Sequence, residues 1–460
     1  MNNIIKMSVA AAVMMTVGTS AVQAEDISIL SNIKVKGEIR ARYEIVESDN
    51  NVVGSTSKRN ANAITNRLVL GVGADVAGTD WLSVYGEMTD VHSLNPNNYN
   101  STDNGGGNGY NPGFGPFGAP LNVVADPEQT RLTQAYIDVH AAGVLLRSGR
   151  QMINLDNQRF IGAVGWRQMP QTYDGFLLAY SGVENLNLAA AYLTKVNTIK
   201  AGAADHLNTR SVVLHASYKV ADFLTVTAYD YMLGAGTGVN NGTANGVGSD
   251  TIGLALTGKP KISDNLTINY RAEYAVMVDP SMESSQYEQY GPIIPGDDNY
   301  DADYYNLELG VNFSGFLAQI GYEVQSGTPD SYLGRDNKTF STALGTNHAF
   351  SGWADVFLAT PDQGLEDMNL MLGYKSKKLG LFKVVYHDFQ SEVDGIDYGQ
   401  EIDLLYKRAI PGVKGLTGML KYANYNADDA KVNVLNSVKN NPRSTDVQKF
   451  WFMLDYKFSN

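Results

Sequence analysis

The chain has 460 residues, a formal charge of −13 at pH 7, no cysteine, four tryptophans, 27 tyrosines and 46 glycines. Without cysteine there is no disulfide framework, thiolate metal site or haem-attachment motif, and the acidic balance argues against a nucleic-acid partner, which wants a basic face. Past the first residues no apolar run approaches the roughly twenty residues of a membrane helix.

Residues 1–24 read as a removable secretory signal. Lys6 precedes an apolar run from Met7 to Val17, too short to span a bilayer, and Val22-Gln23-Ala24 offers small residues for cleavage. Residues 25–460 form the mature chain. It begins with an unbroken alternation: Ile33, Val35, Gly37, Ile39, Ala41, Tyr43 and Ile45 against Lys34, Lys36, Glu38, Arg40, Arg42 and Glu44. A strand sends successive side chains to opposite faces, so this is one apolar and one ionic face. A second strand sets Ile64, Leu68, Leu70, Val72, Ala74 and Val76 against Thr65, Arg67 and Asp75; a third sets Leu82, Val84, Gly86 and Met88 against Ser83, Tyr85 and Glu87. Near 78–80 the chain reverses tightly on Gly and Asp.

The pattern repeats to the C-terminus. Leu266, Ile268, Tyr270, Ala272 and Tyr274 oppose Thr267, Asn269, Arg271 and Glu273, and Tyr305, Leu307, Leu309, Val311 and Phe313 oppose Tyr304, Asn306, Glu308 and Asn312. The last strand sets Phe450, Phe452, Leu454, Tyr456 and Phe458 against Trp451, Met453, Asp455 and Lys457. About eighteen strands are expected, with connectors sorted by parity: short after even strands (141–143, 314–315, 376–380), mostly long after odd ones (92–130, 277–303, 326–366). Short turns at one end and long loops at the other is the asymmetry of transmembrane barrels. Tyr180, Tyr218, Phe313, Tyr374, Tyr406 and Tyr456 end strands at the short-turn end, as an interfacial aromatic girdle does. The fold class expected is therefore all-β: a transmembrane antiparallel barrel in a bacterial outer membrane, with short periplasmic turns and long extracellular loops. Hydrocarbon admits no open sheet edge, so the sheet must close. Eighteen strands leave an aqueous lumen that inward loops can narrow.

The face opposite lipid is ionic. Lys34, Lys36, Arg40, Arg42, Arg67, Arg271, Lys383 and Lys421 supply cations; Glu38, Glu44, Glu273, Glu308, Glu323, Glu401 and Asp403 supply anions. Residues 147–167 add Arg147, Arg150, Arg159 and Arg167 near Asp156. Two readings stand: a constriction whose guanidinium forks favour anions, or a wet wall whose charges pair across strands. The acidic loop 277–303 reads as a solvated lip, its spacing being unlike that of a calcium loop. The six histidines show no ligand-like spacing, and no catalytic, metal or cofactor set stands out; His348 and Asp355 are merely close in sequence.

Two segments carry a family likeness. One runs through Gly149-Arg150-Gln151, Arg159-Phe160-Ile161-Gly162, Gly165-Trp166-Arg167-Gln168 and Gln171-Thr172-Tyr173-Asp174-Gly175; the other through residues 344–355 and Lys383-Val384-Val385-Tyr386-His387-Asp388-Phe389. Together they resemble the alginate-export-type outer-membrane channels. The resemblance implies an eighteen-stranded monomeric barrel, a trimer being the alternative, whose arginine-rich lumen passes a polyuronate. It implies Arg150, Arg159 and Arg167 as pore-lining, with Asp174 as a pairing partner. The many lumenal carboxylates depart from that pattern and would repel a polyuronate. The expected function is a non-enzymatic porin for passive diffusion of small hydrophilic solutes, anionic ones among them. The alternatives are a dedicated channel for acidic sugars or polyuronates, and a secreted β-rich polysaccharide-binding or -cleaving protein.

Overall fold

The computed structural model describes residues 29–49, 60–101, 121–234, 248–279, 281, 301–327, 339–393, 395–428 and 445–460. The signal segment 1–24 and most of the acidic loop 277–303 lie outside the described residues. The strands are β1 (Leu30–Asp49), β2 (Ala61–Val76), β3 (Leu82–Ser93), β4 (Gln129–Ala141), β5 (Val144–Gln151), β6 (Thr172–Tyr180) and β7 (Leu186–Asn197). They continue as β8 (His206–Ala221), β9 (Leu224–Leu233), β10 (Ser249–Gly258), β11 (Lys261–Ser263), β12 (Leu266–Val278) and β13 (Asp301–Phe313). The last are β14 (Phe316–Gln325), β15 (Leu365–Ser376), β16 (Gly380–Gln390), β17 (Asp397–Ala409), β18 (Leu416–Ala427) and β19 (Asp446–Ser459).

Each long strand pairs antiparallel with its sequence neighbours, and β1 pairs with both β2 and β19, so the sheet closes without an edge. Eighteen of the nineteen strands are staves. The other, the three-residue β11, lies in the β10–β12 turn and pairs only with β12. The seam is tied at the C-terminus, where Asn460 Oδ1 accepts from Val35 N at 2.7 Å. Tight reversals at Ala77–Gly78, Ala142–Gly143 and Ser314–Gly315 each put two consecutive residues at positive φ. That is the hairpin whose twist matches right-handed strands.

The alternation read from sequence is realised as outside and inside. Ile39, Leu307, Leu309, Phe313, Phe316 and Ile320 are exposed on the outer surface, with Leu309 55 % accessible. Their neighbours Arg40, Asn306 and Glu323 are buried within the barrel. Tyr218 and Phe313 stand exposed at the turn end, as a girdle requires.

The long-loop half of the lumen is filled by the chain itself. Residues 121–126 lie along the inner faces of β1 and β2, where Tyr99 and Val124 pack with Val46, Ala61 and Ala63. Residues 152–171 turn inward and bury Ile153 and Ile161 among Tyr173, Leu193, Val213, Tyr229, Tyr231, Met277 and Tyr304. Residues 339–364 enter from across the barrel, seating Trp353 and Phe357 against Phe389, Tyr398, Tyr425 and Trp451. The two inward segments meet at a short parallel bridge, Ile161 to Leu344, where Gly162 N donates to Leu344 O at 3.0 Å. Gly345 is required there, since a Cβ would lie 2.1 Å from Arg159 O.

Candidate functional site: a charge-paired constriction

The inward face of the first two strands carries arginines at Arg40, Arg42 and Arg67. Each reaches a backbone carbonyl of the inserted segment, and the three carbonyls are consecutive. Arg40 donates to Gly165 O at 3.2 Å, Arg42 to Trp166 O, and Arg67 to Arg167 O at 3.4 Å. Each also meets a carboxylate: Arg40 with Glu38 at 2.9 Å, Arg42 with Asp126 at 3.0 Å, Arg67 with Glu38 at 3.3 Å. The arginine cluster read from sequence therefore holds the backbone of an inserted loop.

The inserted loop adds Arg167, which bridges the barrel wall to the second insertion. It lies 3.1 Å from Glu44 on β1 and 2.9 Å from Asp355 in residues 339–364. Asp355 also meets Lys449 Nζ at 2.7 Å and His348 Nδ1 at 2.5 Å. Lys421 Nζ lies 2.6 Å from His348 Nε2, so the imidazole donates through Nδ1 and accepts through Nε2. Around the Lys421 ammonium stand Trp353, Trp166 and Trp451, at 3.7, 4.3 and 5.3 Å from ring centroids. Cations are attracted to ring faces at such distances.

Burial pushes His348 down to about 3, with Lys421 adding to the fall and Asp355 opposing it. Burial alone would raise Asp355, but His348, Lys449 and Arg167 hold it well below the usual carboxylate range. The node is thus a neutral histidine between the Asp355 carboxylate and the Lys421 amine. It has the members of a proton relay, yet its acceptor nitrogen is occupied by lysine instead of facing a nucleophile.

Arg159 forms a separate anchor. Its guanidinium is clasped in two places by Glu323, at 2.7 and 3.1 Å, with Thr342, Asn347 and Ser351 taking its other donors. Burial opposes the charge, but Glu323 and Tyr304 outweigh it and raise the Arg159 pKa. Tyr304 donates to the same Glu323 at 2.6 Å, and Phe160, Tyr229, Tyr231, Tyr304 and Phe340 form the aromatic surroundings.

Two expected pore-lining residues face the other way. Tyr173 and Leu177 join the interior cluster, so Asp174 shares the outer face with Phe176 and Leu178. Its register partner Arg150 shares that face with Leu146 and binds Asp174 at 2.7 and 2.9 Å. Family likeness pointed these two inward; strand alternation points them outward.

Of the other expected residues, Lys421 and Glu273 are buried, whereas Lys34 is exposed near the turn end of β1. Glu273 takes Arg271 at 2.6 Å and Tyr229 Oη at 2.9 Å, and Glu308 accepts from Asn306 and Gln319. Lys36 pairs with Glu87 at 3.0 Å and keeps half its side chain accessible. Lys383 faces the lumen with no ion pair among the described residues. At the turn end, a cleft of about 620 Å³ is lined by residues that include Trp81, His140, Leu145, Ala179, Tyr180 and His215.

Sequence reasoning missed Asp126, Trp353, Trp451, Lys449 and the pairing of His348 with Lys421. The one available signal was Trp451, the large aromatic on the polar face of the final strand.

A family model described as alginate export matches residues 31–389. Among solved structures, Acinetobacter baumannii OccAB1 superposes with a TM-score of 0.64 at 12 % identity, covering 94 % of this chain and 97 % of that one. Acinetobacter baumannii OccAB2 gives 0.63 at 16 % identity, covering 94 % and 100 %. The Pseudomonas aeruginosa outer membrane protein opdK gives 0.63 at 12 %, covering 94 % and 100 %. No curated protein matches the sequence.

Proposed function

Because this chain belongs to the alginate export family and closes as an outer-membrane barrel, we propose that it is a passive channel for small hydrophilic solutes with little charge preference at its constriction. The observation that carries this is the pairing of Arg40, Arg42, Arg67, Arg159 and Arg167, each held by at least one carboxylate or loop carbonyl. A guanidinium already matched by a carboxylate has little field left for a passing anion. The lumenal charges serve to place the inserted loops, and the loops set the bore by size.

The family's description favours a second reading, a dedicated path for acidic sugars or polyuronates. Lumenal lysines with accessible or unpaired ammoniums, Lys36 and Lys383 among them, are what would support it. Liposome swelling with neutral, cationic and acidic sugars of matched size separates the two. Rates ordered by size alone support the general channel. Acidic sugars entering much faster than neutral ones overturn it in favour of the second reading. The chain is read as a channel and not an enzyme, because Lys421 occupies the acceptor nitrogen in the His348–Asp355 pair.

A further inference from the structure

Arg150 and Asp174 belong to a longer polar row on the membrane-facing side. Arg150 lies opposite Asp174, Asp174 opposite Lys195, and Lys195 opposite Asn208, crossing β5 to β8 at one height. Lys195 faces outward because Val196 beside it is in the interior cluster. Arg210 faces outward because Thr209 and Ser211 on either side are buried, while Leu214, on its own face, is exposed.

The row sits directly beyond exposed apolar side chains, namely Phe176, Tyr192 and Leu214, on the long-loop side. Two residues of strand advance about 7 Å, so these charges lie at the border of the apolar band, where headgroups begin. Asp174 is neutralised by Arg150, and Asn197 Nδ2 donates to it at 2.8 Å. Lys195 and Arg210 remain in excess, and Arg210 is exposed with no ion pair among the described residues. At the same border in other sectors the outward charges are acidic: Asp230, Asp303, Glu366 and Asp388.

We propose that the outer face of β5 to β8 binds the phosphate-bearing headgroup of an anionic outer-leaflet glycolipid, with Lys195 and Arg210 contacting phosphate. Arg150, fixed by Asp174, closes the edge of this site. The inference rests on the long-loop end facing the outer leaflet. Arginine and lysine are the phosphate ligands of choice, and basic residues at a membrane surface attract anionic lipid. Free phosphate would gain nothing from Phe176, Tyr192 and Leu214 below the row, whereas an acylated headgroup lays its chains along them.

The test uses the full barrel in detergent, with native mass spectrometry counting bound lipid. The probes are a bis-phosphorylated acylated glucosamine disaccharide and its dephosphorylated counterpart. The wild-type barrel is expected to retain the phosphorylated form about tenfold or more tightly. A Lys195→Glu/Arg210→Glu variant is expected to lose that difference, while Asp388→Asn keeps it. Heat-modifiable gel mobility and unchanged conductance establish that the variant is folded, since both residues point away from the lumen. Equal retention of the two lipids by wild type overturns the proposal, as does unchanged retention by the charge-reversed variant. So does displacement by millimolar inorganic phosphate, or a change of oligomeric state in place of lipid loss, which would make the row a contact between barrels.

Discussion

The inserted segment 152–171 is held at two points that solve the same problem differently. Arg159 is anchored by a closed pair: one guanidinium, one carboxylate, neutral donors and acceptors, and an aromatic surround. Arg167 is anchored in a chain of charges running from Glu44 through Asp355 to Lys449, His348 and Lys421. A closed pair depends on each partner, because removing one leaves the other buried and unmatched. A chain can redistribute, since when Arg167 is gone Asp355 keeps Lys449 and Glu44 keeps the charge of Arg42 beside it. The first should fail abruptly, the second by degrees.

The largest effect is therefore expected at the closed pair. Arg159→Ala strands Glu323 inside the aromatic cluster, a loss of about 3–5 kcal/mol for a broken buried pair. It should release the insertion, seen as a lower unfolding midpoint and a higher, noisier single-channel conductance. Replacing both partners together, Arg159→Met with Glu323→Leu, should recover most of the stability, because an apolar pair of similar volume is often neutral there. If the double variant is as unstable as the single one, the pair is not closed. Arg167→Ala should cost less, about 2 kcal/mol for the lost charged hydrogen bonds, with conductance changed but the barrel midpoint nearly kept. An Arg167→Ala loss exceeding that of Arg159→Ala would reverse the contrast.

Acid should separate the two anchors further. His348 is held at about 3 in the latched node, below its ordinary 6.5, and Asp355 is depressed as well. Groups with depressed pKa values bind protons more readily once released, so protons favour release. The contribution of His348 is present in full above about pH 6.5 and declines as pH falls toward 3; that of Asp355 follows below the usual carboxylate range. Three of the four tryptophans surround Lys421, so tryptophan emission should shift on titration from pH 7 to 4. The shift should vanish in His348→Gln. Arg159, whose pKa is raised, keeps its charge across the window. A spectrum flat over that range would remove the node from any role in acid response.

Why the barrel was legible and its contents were not follows from the same residues. In β1 lipid takes Ile39 and Tyr43 and the interior takes Arg40 and Arg42, so period and polarity agree. In β9 they conflict: Tyr229 and Tyr231 face the interior cluster while Asp230 between them faces out. Alternation there gives two faces without saying which one meets hydrocarbon. The anchors were harder still, because Arg159 and Glu323 are 164 residues apart and His348 and Lys421 are 73 apart. Spacing rules reach only neighbours on one element. Asp174 shows another case: likeness to other chains set it beside Arg150 toward the pore, and the alternation of β6 in the structure turns both outward.

The smallest expected effect concerns charges left outside both anchors. Lys36 retains an accessible ammonium beside Glu87, and Lys383 faces the lumen without an ion pair among the described residues. If the anchors leave the constriction nearly neutral, these two lysines contribute to whatever anion preference the bore has. Lys36→Gln with Lys383→Gln should then move the reversal potential in a salt gradient toward cations. At about 0.1 M salt, screening over about 10 Å keeps the change in permeability ratio to about twofold or less. A much larger change would mean that solutes pass closer to these lysines than the paired arginines suggest, and that selectivity resides in the unanchored wall. No change would place the residual selectivity on the other lumenal lysines or within the Arg167 chain, and Arg167→Ala reads the latter directly.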